Sequence, residues 1–145
     1  MRDVILLIDD STLIHKLVKV FLSPPFDVIS AYDGRSGLIA AAEHRPDLIL
    51  LDVEMPDIRG YEVCRRLKAD RGTHEIPVIF LTSASEISER AHGLEAGACD
   101  YIEKSFDPAD FYARICAALG RPGMSSLEAD ASVASASVLT PNQRN

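Results

Sequence analysis

No apolar run in this 145-residue chain approaches the roughly 20 residues needed for a membrane-spanning helix. The first residues lead straight into an aliphatic strand pattern, so no secretory leader is expected. Cysteine is scarce. Cys64, Cys99 and Cys116 are odd in number and lack the paired spacing of a zinc site, which points away from a disulfide framework and predicts reduced thiols in a cytoplasmic protein. Basic residues are outnumbered, 15 against 22 acidic, and the net charge of −7 argues against direct binding of nucleic acid. The four histidines, His15, His44, His74 and His92, lie apart without metal-ligand spacing and read as surface or capping residues, with a docking role open for His15.

What is present is apolar residues, 47% of the chain, enough for one domain with a real core. They fall in short aliphatic runs that alternate with helical patterns. Val4 to Ile8, Asp27 to Ala31, Leu48 to Leu51, Val78 to Leu81 and Cys99 to Ile102 read as strands, the second weak enough to lie near a sheet edge. Ser11 or Thr12 caps a first helix with the stripe Leu13, Leu17, Val18, Phe21 and Leu22, stopped by Ser23-Pro24-Pro25. Asp33-Gly34 reads as a turn before a second helix running to about His44, and a third covers Tyr61 to about Ala69. Ser85 caps a fourth, Glu86 to Ala96. Asp107-Pro108 opens a fifth, carrying Phe111, Ile115, Ala118 and Leu119 before Gly120. Strand–helix alternation with short connections predicts an α/β fold: a single parallel five-stranded sheet flanked by five helices. Residues 121–145, rich in Ser and Ala, read as a flexible tail or linker beyond a domain spanning 1–120.

Asp9 and Asp10 follow the first strand and Asp52 follows the third. Ligands of parallel α/β sheets bind beyond the carboxyl ends of strands, and the flavodoxin-like order 2-1-3-4-5 puts these two strands side by side. Carboxylates crowded there repel one another unless a cation lies between them, which predicts a hard divalent metal with oxygen ligands. Thr82 and Lys104 stand at the ends of strands four and five. A carboxylate, a hydroxyl, an ammonium and a metal at one edge are the parts needed to receive a phosphoryl group on an aspartate.

Asp9-Asp10, LLDVEMPDIRGYE around Asp52, Thr82 and DYIEKSFDP around Lys104 together resemble the receiver domain of two-component response regulators, over about residues 3 to 119. The resemblance implies that Asp52 takes a phosphoryl group from a sensor histidine kinase or phosphotransfer protein. It implies that Asp10 and Asp52 bind Mg²⁺ (or Mn²⁺) directly, Asp9 through water, and the Glu54 backbone carbonyl beside them. Lys104 pairs with Asp52 or the phosphoryl oxygens. Thr82 and Tyr101 move as the switch, and the face of helix four, strand five and helix five is read by a downstream protein, a fused output domain or a second copy in a homodimer. The domain is a self-catalysing phosphoacceptor and not a conventional enzyme.

Two departures stand out. The family usually has Lys-Pro after strand five with a cis bond; here it is Lys104-Ser105, where a cis bond would cost about 2.5–4 kcal/mol. The expectation is a trans bond with a reshaped loop, or a strained cis bond held by packing. Glu54 adds an acidic side chain at the mouth, expected to affect hydrolysis of the phosphoryl group. Two competing readings are a degenerate receiver acting only as a protein-interaction module and an aspartate-nucleophile phosphatase. The phosphatase usually has its nucleophile in an Asp-x-Asp after the first strand and a cap domain, neither of which is present. No DNA-binding helix pair follows.

Overall fold

The computed structural model describes residues 2–83 and 90–121, Arg90 by its backbone only. The chain runs β1 (Val4–Ile8), α1 (Thr12–Leu22), β2 (Asp27–Ala31), α2 (Gly34–His44), β3 (Leu48–Asp52), α3 (Gly60–Ala69), β4 (Val78–Thr82), α4 (Arg90–Glu95), β5 (Asp100–Glu103) and α5 (Pro108–Leu119). The five strands pair in parallel in the order β2-β1-β3-β4-β5. The described residues fall into two compact units that divide between Phe106 and Asp107.

The aliphatic runs become strands because both faces of a parallel sheet are covered, so no residue in them needs to be polar. β1 from Ile5, all of β3 and all of β4 are buried, whereas β2 at the edge is mostly half-buried. Leu6, Ile8, Ile49, Leu51 and Phe80 point to one face and form one core with Ala41 of α2 and Val63, Cys64 and Leu67 of α3. Ile5, Leu7, Leu48 and Leu50 alternate to the other face and are equally buried. Each such aliphatic side chain contributes about 1.5–3 kcal/mol on leaving water.

Local chemistry sets the helix ends. Ser11 accepts from the Ile14 amide at 3.3 Å and starts α1. Asp33 is the cap of α2, accepting from Ser36 N–H at 2.8 Å, so Asp33-Gly34 opens the helix and is not a free turn. Arg45 ends α2 in the left-handed region at φ 45°, and its N–H donates to the Ala41 carbonyl. In the second unit, Asp107 accepts from the Asp110 amide and Pro108 fills the first turn of α5, which buries Phe111, Ile115 and Cys116.

Three expectations shift. α1 turns inward on Ile14, His15, Val18 and Leu22, leaving Leu13 62% exposed. His15 is buried and not a surface residue. β5 begins one residue later than expected, and Cys99 before it is exposed. The expected Ser85 cap and the 122–145 tail lie outside the described residues. No helix among the described residues is long and apolar enough to cross a membrane.

Candidate functional site

β1 and β3 are neighbours with Ile8 opposite Leu51, so Asp9 and Asp52 emerge side by side at the carboxyl edge. Carboxylate oxygens of Asp9, Asp10 and Asp52 lie within 4.8 Å of one another. Asp9 is fully buried, Asp52 nearly so, and Asp10 is exposed. The Lys104 ammonium lies 3.1 Å from Asp9 Oδ2 and 3.1 Å from Asp52 Oδ1.

The backbone explains why Asp9 is held so firmly. Its N–H donates to the Ala31 carbonyl of β2 at 3.1 Å, and its Oδ1 accepts from the Ser11 amide at 2.8 Å. Oδ2 faces the Lys104 ammonium at 3.1 Å, and no further donor among the described residues meets it. A buried carboxylate oxygen without a directional donor is costly unless a cation satisfies it. Together with two further carboxylates in reach, that oxygen fits a hard divalent ion.

The electrostatics point the same way. Burial, and then the neighbouring Asp9, raise the Asp52 pKa to about 7; Asp10 adds a smaller push, and Lys104 only partly opposes them. Burial pulls the Lys104 ammonium down, but Asp9 and Asp52 outweigh it and its pKa lies above the ordinary lysine value. One ammonium therefore does not compensate the cluster, and a dication would.

Thr82 closes β4 one position beyond Leu81, which lies opposite Asp52. It is fully buried, its hydroxyl donates to the Ser83 carbonyl at 3.2 Å, and its own carbonyl accepts from the Lys104 amide at 2.6 Å. That last bond anchors the lysine backbone to β4. The Lys104–Ser105 peptide is trans; the cis bonds among the described residues are Ser23–Pro24 and Pro24–Pro25. Lys104 reaches both carboxylates without the cis bond.

Glu54 is exposed and paired with Arg59 at 3.0 Å. Tyr101 lies inward at 2% exposure, its hydroxyl 3.1 Å from the Tyr61 hydroxyl and its ring 5.8 Å from that of Phe80. A Cβ on Gly93 would come within 2.8 Å of the Tyr101 ring, so the bare glycine of α4 makes room for the inward aromatic.

Sequence reasoning missed three supports. Gly60 lets α3 start directly on β3: a Cβ there would collide with the Asp52 carbonyl oxygen, and its N–H donates to the Val53 carbonyl at 2.8 Å. Asp57 ties the β3–α3 loop to α2 by accepting from Gly34 and Arg35 amides at 2.8 and 2.9 Å. Desolvation raises the Asp57 pKa, but those amides together with that of Ile58 outweigh it and hold the carboxyl below the ordinary aspartate value. The third is His15, whose Nε2 is 2.8 Å from the Asp9 carbonyl. The Asp57-x-x-Gly60 spacing was a usable signal for the first two, whereas nothing along the chain marks the partner of His15.

Residues 5–116 match the family model of the response regulator receiver domain. The chain belongs to that family. It is 42% identical over 118 residues to the DNA-binding dual master transcriptional regulator RpaA of Synechocystis, covering 81% of this chain and 49% of that protein. It is 40% identical over 122 residues to the DNA-binding response regulator MtrA of Mycobacterium tuberculosis, covering 83% of this chain and 52% of that one. The chain thus spans about half the length of the curated relatives it matches. Among solved structures, a response regulator of Chloroflexus aurantiacus superposes with a TM-score of 0.79 at 30% identity, covering 83% of this chain and all of that one. The receiver domain of the sensor histidine kinase PA1611 of Pseudomonas aeruginosa, with magnesium coordinated in its active-site cleft, gives 0.76 at 28% identity, covering 83% and 99%. The parallel sheet order is that of the expected fold.

Proposed function

We propose that this receiver is a phosphorylation-dependent signalling switch with Asp52 as the phosphoacceptor, its domain spanning residues 1–120 and 121–145 forming a tail or linker. The observation that carries this reading is the buried Asp9–Asp52–Lys104 cluster at the carboxyl edge of the sheet, with Asp10 at its mouth. The donor is a phosphohistidine on a sensor histidine kinase or phosphotransfer protein. An Asp52 oxygen forms the new bond to phosphorus as the P–N bond breaks, and the histidine nitrogen leaves with that electron pair.

Asp10 and Asp52 would hold Mg²⁺ (or Mn²⁺), with Asp9 and the Glu54 carbonyl as supporting groups beside them. A bound divalent ion supplies the positive charge that lets an anionic phosphoryl group approach three carboxylates. Lys104, freed from its ion pair with Asp52, neutralises a phosphoryl oxygen. Thr82 turns its hydroxyl from the Ser83 carbonyl to the new acceptor, and Tyr101, already inward on the neighbouring strand, is held in that position. The α4–β5 face then changes for its reader, a downstream protein, a fused output domain or a second copy. The net charge of −7 disfavours direct contact with nucleic acid, and the location is cytoplasmic.

Incubation with acetyl phosphate, with and without Mg²⁺, followed by intact mass, tests the reading. Wild type gains one phosphoryl group only with metal, and Asp52→Asn gains none. A wild-type protein unmodified in Mg²⁺ overturns it.

A further inference from the structure

His15 is 2% exposed on the inward face of α1, and the phosphoryl chemistry does not use it. Its two ring nitrogens both have partners. Nε2 lies 2.8 Å from the Asp9 backbone oxygen, and Nδ1 lies 2.8 Å from the Ser30 hydroxyl of β2. A carbonyl only accepts, so the Nε2–H donates to Asp9. The Ser30 hydroxyl can then donate to Nδ1 and hold the tautomer. The Tyr32 ring, with its centroid 4.1 Å from that of His15, packs against the imidazole.

The consequence concerns Asp9. Its N–H is bound to Ala31, its Oδ1 to Ser11 and its carbonyl to His15, leaving Oδ2 facing Lys104. We propose that His15 is a positioning residue for the cation site: by holding the Asp9 carbonyl it locks the turn that presents the Asp9 and Asp10 carboxylates to a divalent ion. Removing a hydrogen-bond partner of a ligating side chain typically weakens metal affinity about 10- to 100-fold, and His15, which holds the backbone behind such a side chain, belongs at the low end of that range. Without the imidazole the buried Asp9 carbonyl loses its donor, and the turn relaxes toward a conformation that satisfies it.

This inference rests on the metal-binding reading above. The test titrates Mn²⁺ into full-length protein and follows free Mn²⁺ by electron paramagnetic resonance, well below each variant's melting temperature. In parallel, hydrogen exchange of the Ser11 amide is followed in metal-free protein. His15→Leu should bind Mn²⁺ about 10-fold more weakly and exchange Ser11 faster. His15→Gln, whose side-chain amide can still donate near the Nε2 position, should recover most of both. Ser30→Ala, which only frees the ring, should weaken binding by less than His15→Leu does and keeps the test open should His15→Leu not fold. A purely structural histidine would lower the melting temperature while leaving the Mn²⁺ affinity of the folded fraction unchanged, and that result overturns the inference. If wild type itself binds no Mn²⁺, the metal-binding reading fails and the inference falls with it.

Discussion

Two ion pairs of nearly the same length stand near opposite ends of β1. Arg2–Asp27, near its start, spans 3.2 Å between side chains that are 54% and 55% exposed. Asp9–Lys104, beyond its end, spans 3.1 Å between side chains that are 0% and 23% exposed. Distance does not separate them; water does. The first pair is screened and contributes little, while the second is surrounded by low-dielectric protein and by two further carboxylates, so each charge there alters its neighbours' ionisation. The charges at the amino edge stand in water, and those at the carboxyl edge are concentrated where a ligand can reach them.

The largest expected effect breaks the buried end. Lys104→Met leaves Asp9 and Asp52 without their ammonium, and at pH 8 in EDTA it should cost about 3–5 kcal/mol in urea denaturation. A loss below 1 kcal/mol would mean the buried pair behaves like a surface one.

Next comes the pH dependence. The Asp52 pKa is raised to about 7 from an ordinary 3.8, so the folded metal-free protein holds a proton there that the unfolded chain releases. Stability from this group is complete below pH 4 and is lost as pH rises through 7. Asp52→Asn should therefore be more stable than wild type at pH 8 in EDTA, by about 2–4 kcal/mol, and should lose that advantage below pH 4. An advantage constant with pH would show that burial and Asp9 do not raise the Asp52 pKa.

A divalent ion sharpens the contrast in a third way. Mg²⁺ at 100 times its dissociation constant should stabilise wild type by about 2.7 kcal/mol, and Asp10→Asn should largely abolish that gain. Thermal melts with and without Mg²⁺ measure both. The smallest effect belongs to the exposed end. Arg2→Ala should change stability by less than about 0.5 kcal/mol and leave the response to Mg²⁺ untouched.

Much of this was legible along the chain. β1 and β2 fall where their aliphatic runs predict them, because burial on both faces of a parallel sheet or at its edge leaves a plain signature. The carboxylate cluster was legible because Asp9, Asp10 and Asp52 end two strands whose adjacency the fold requires. The inward face of α1 was harder to read. The stripe through Leu13, Leu17 and Phe21 looks as apolar as the one through Ile14, Val18 and Leu22, and only the helix's placement on the sheet chose between them. His15 then falls on the inward side, where a two-ended hydrogen-bonding ring is tolerated because both ends find partners. The Lys104–Ser105 bond was undecided from the residues and is trans.

By itself, the order of residues determined which segments become strands, which aspartates end them and which lysine lies beyond the last, since these follow from local hydrophobic pattern and chain connectivity. Only the tertiary structure decided that the second Asp9 oxygen faces Lys104 beside two further carboxylates, that His15 holds the carbonyl behind it and that burial raises the Asp52 pKa to about 7. Those properties depend on how much water reaches a group and on who stands within 3 Å of it, and residues distant along the chain set both.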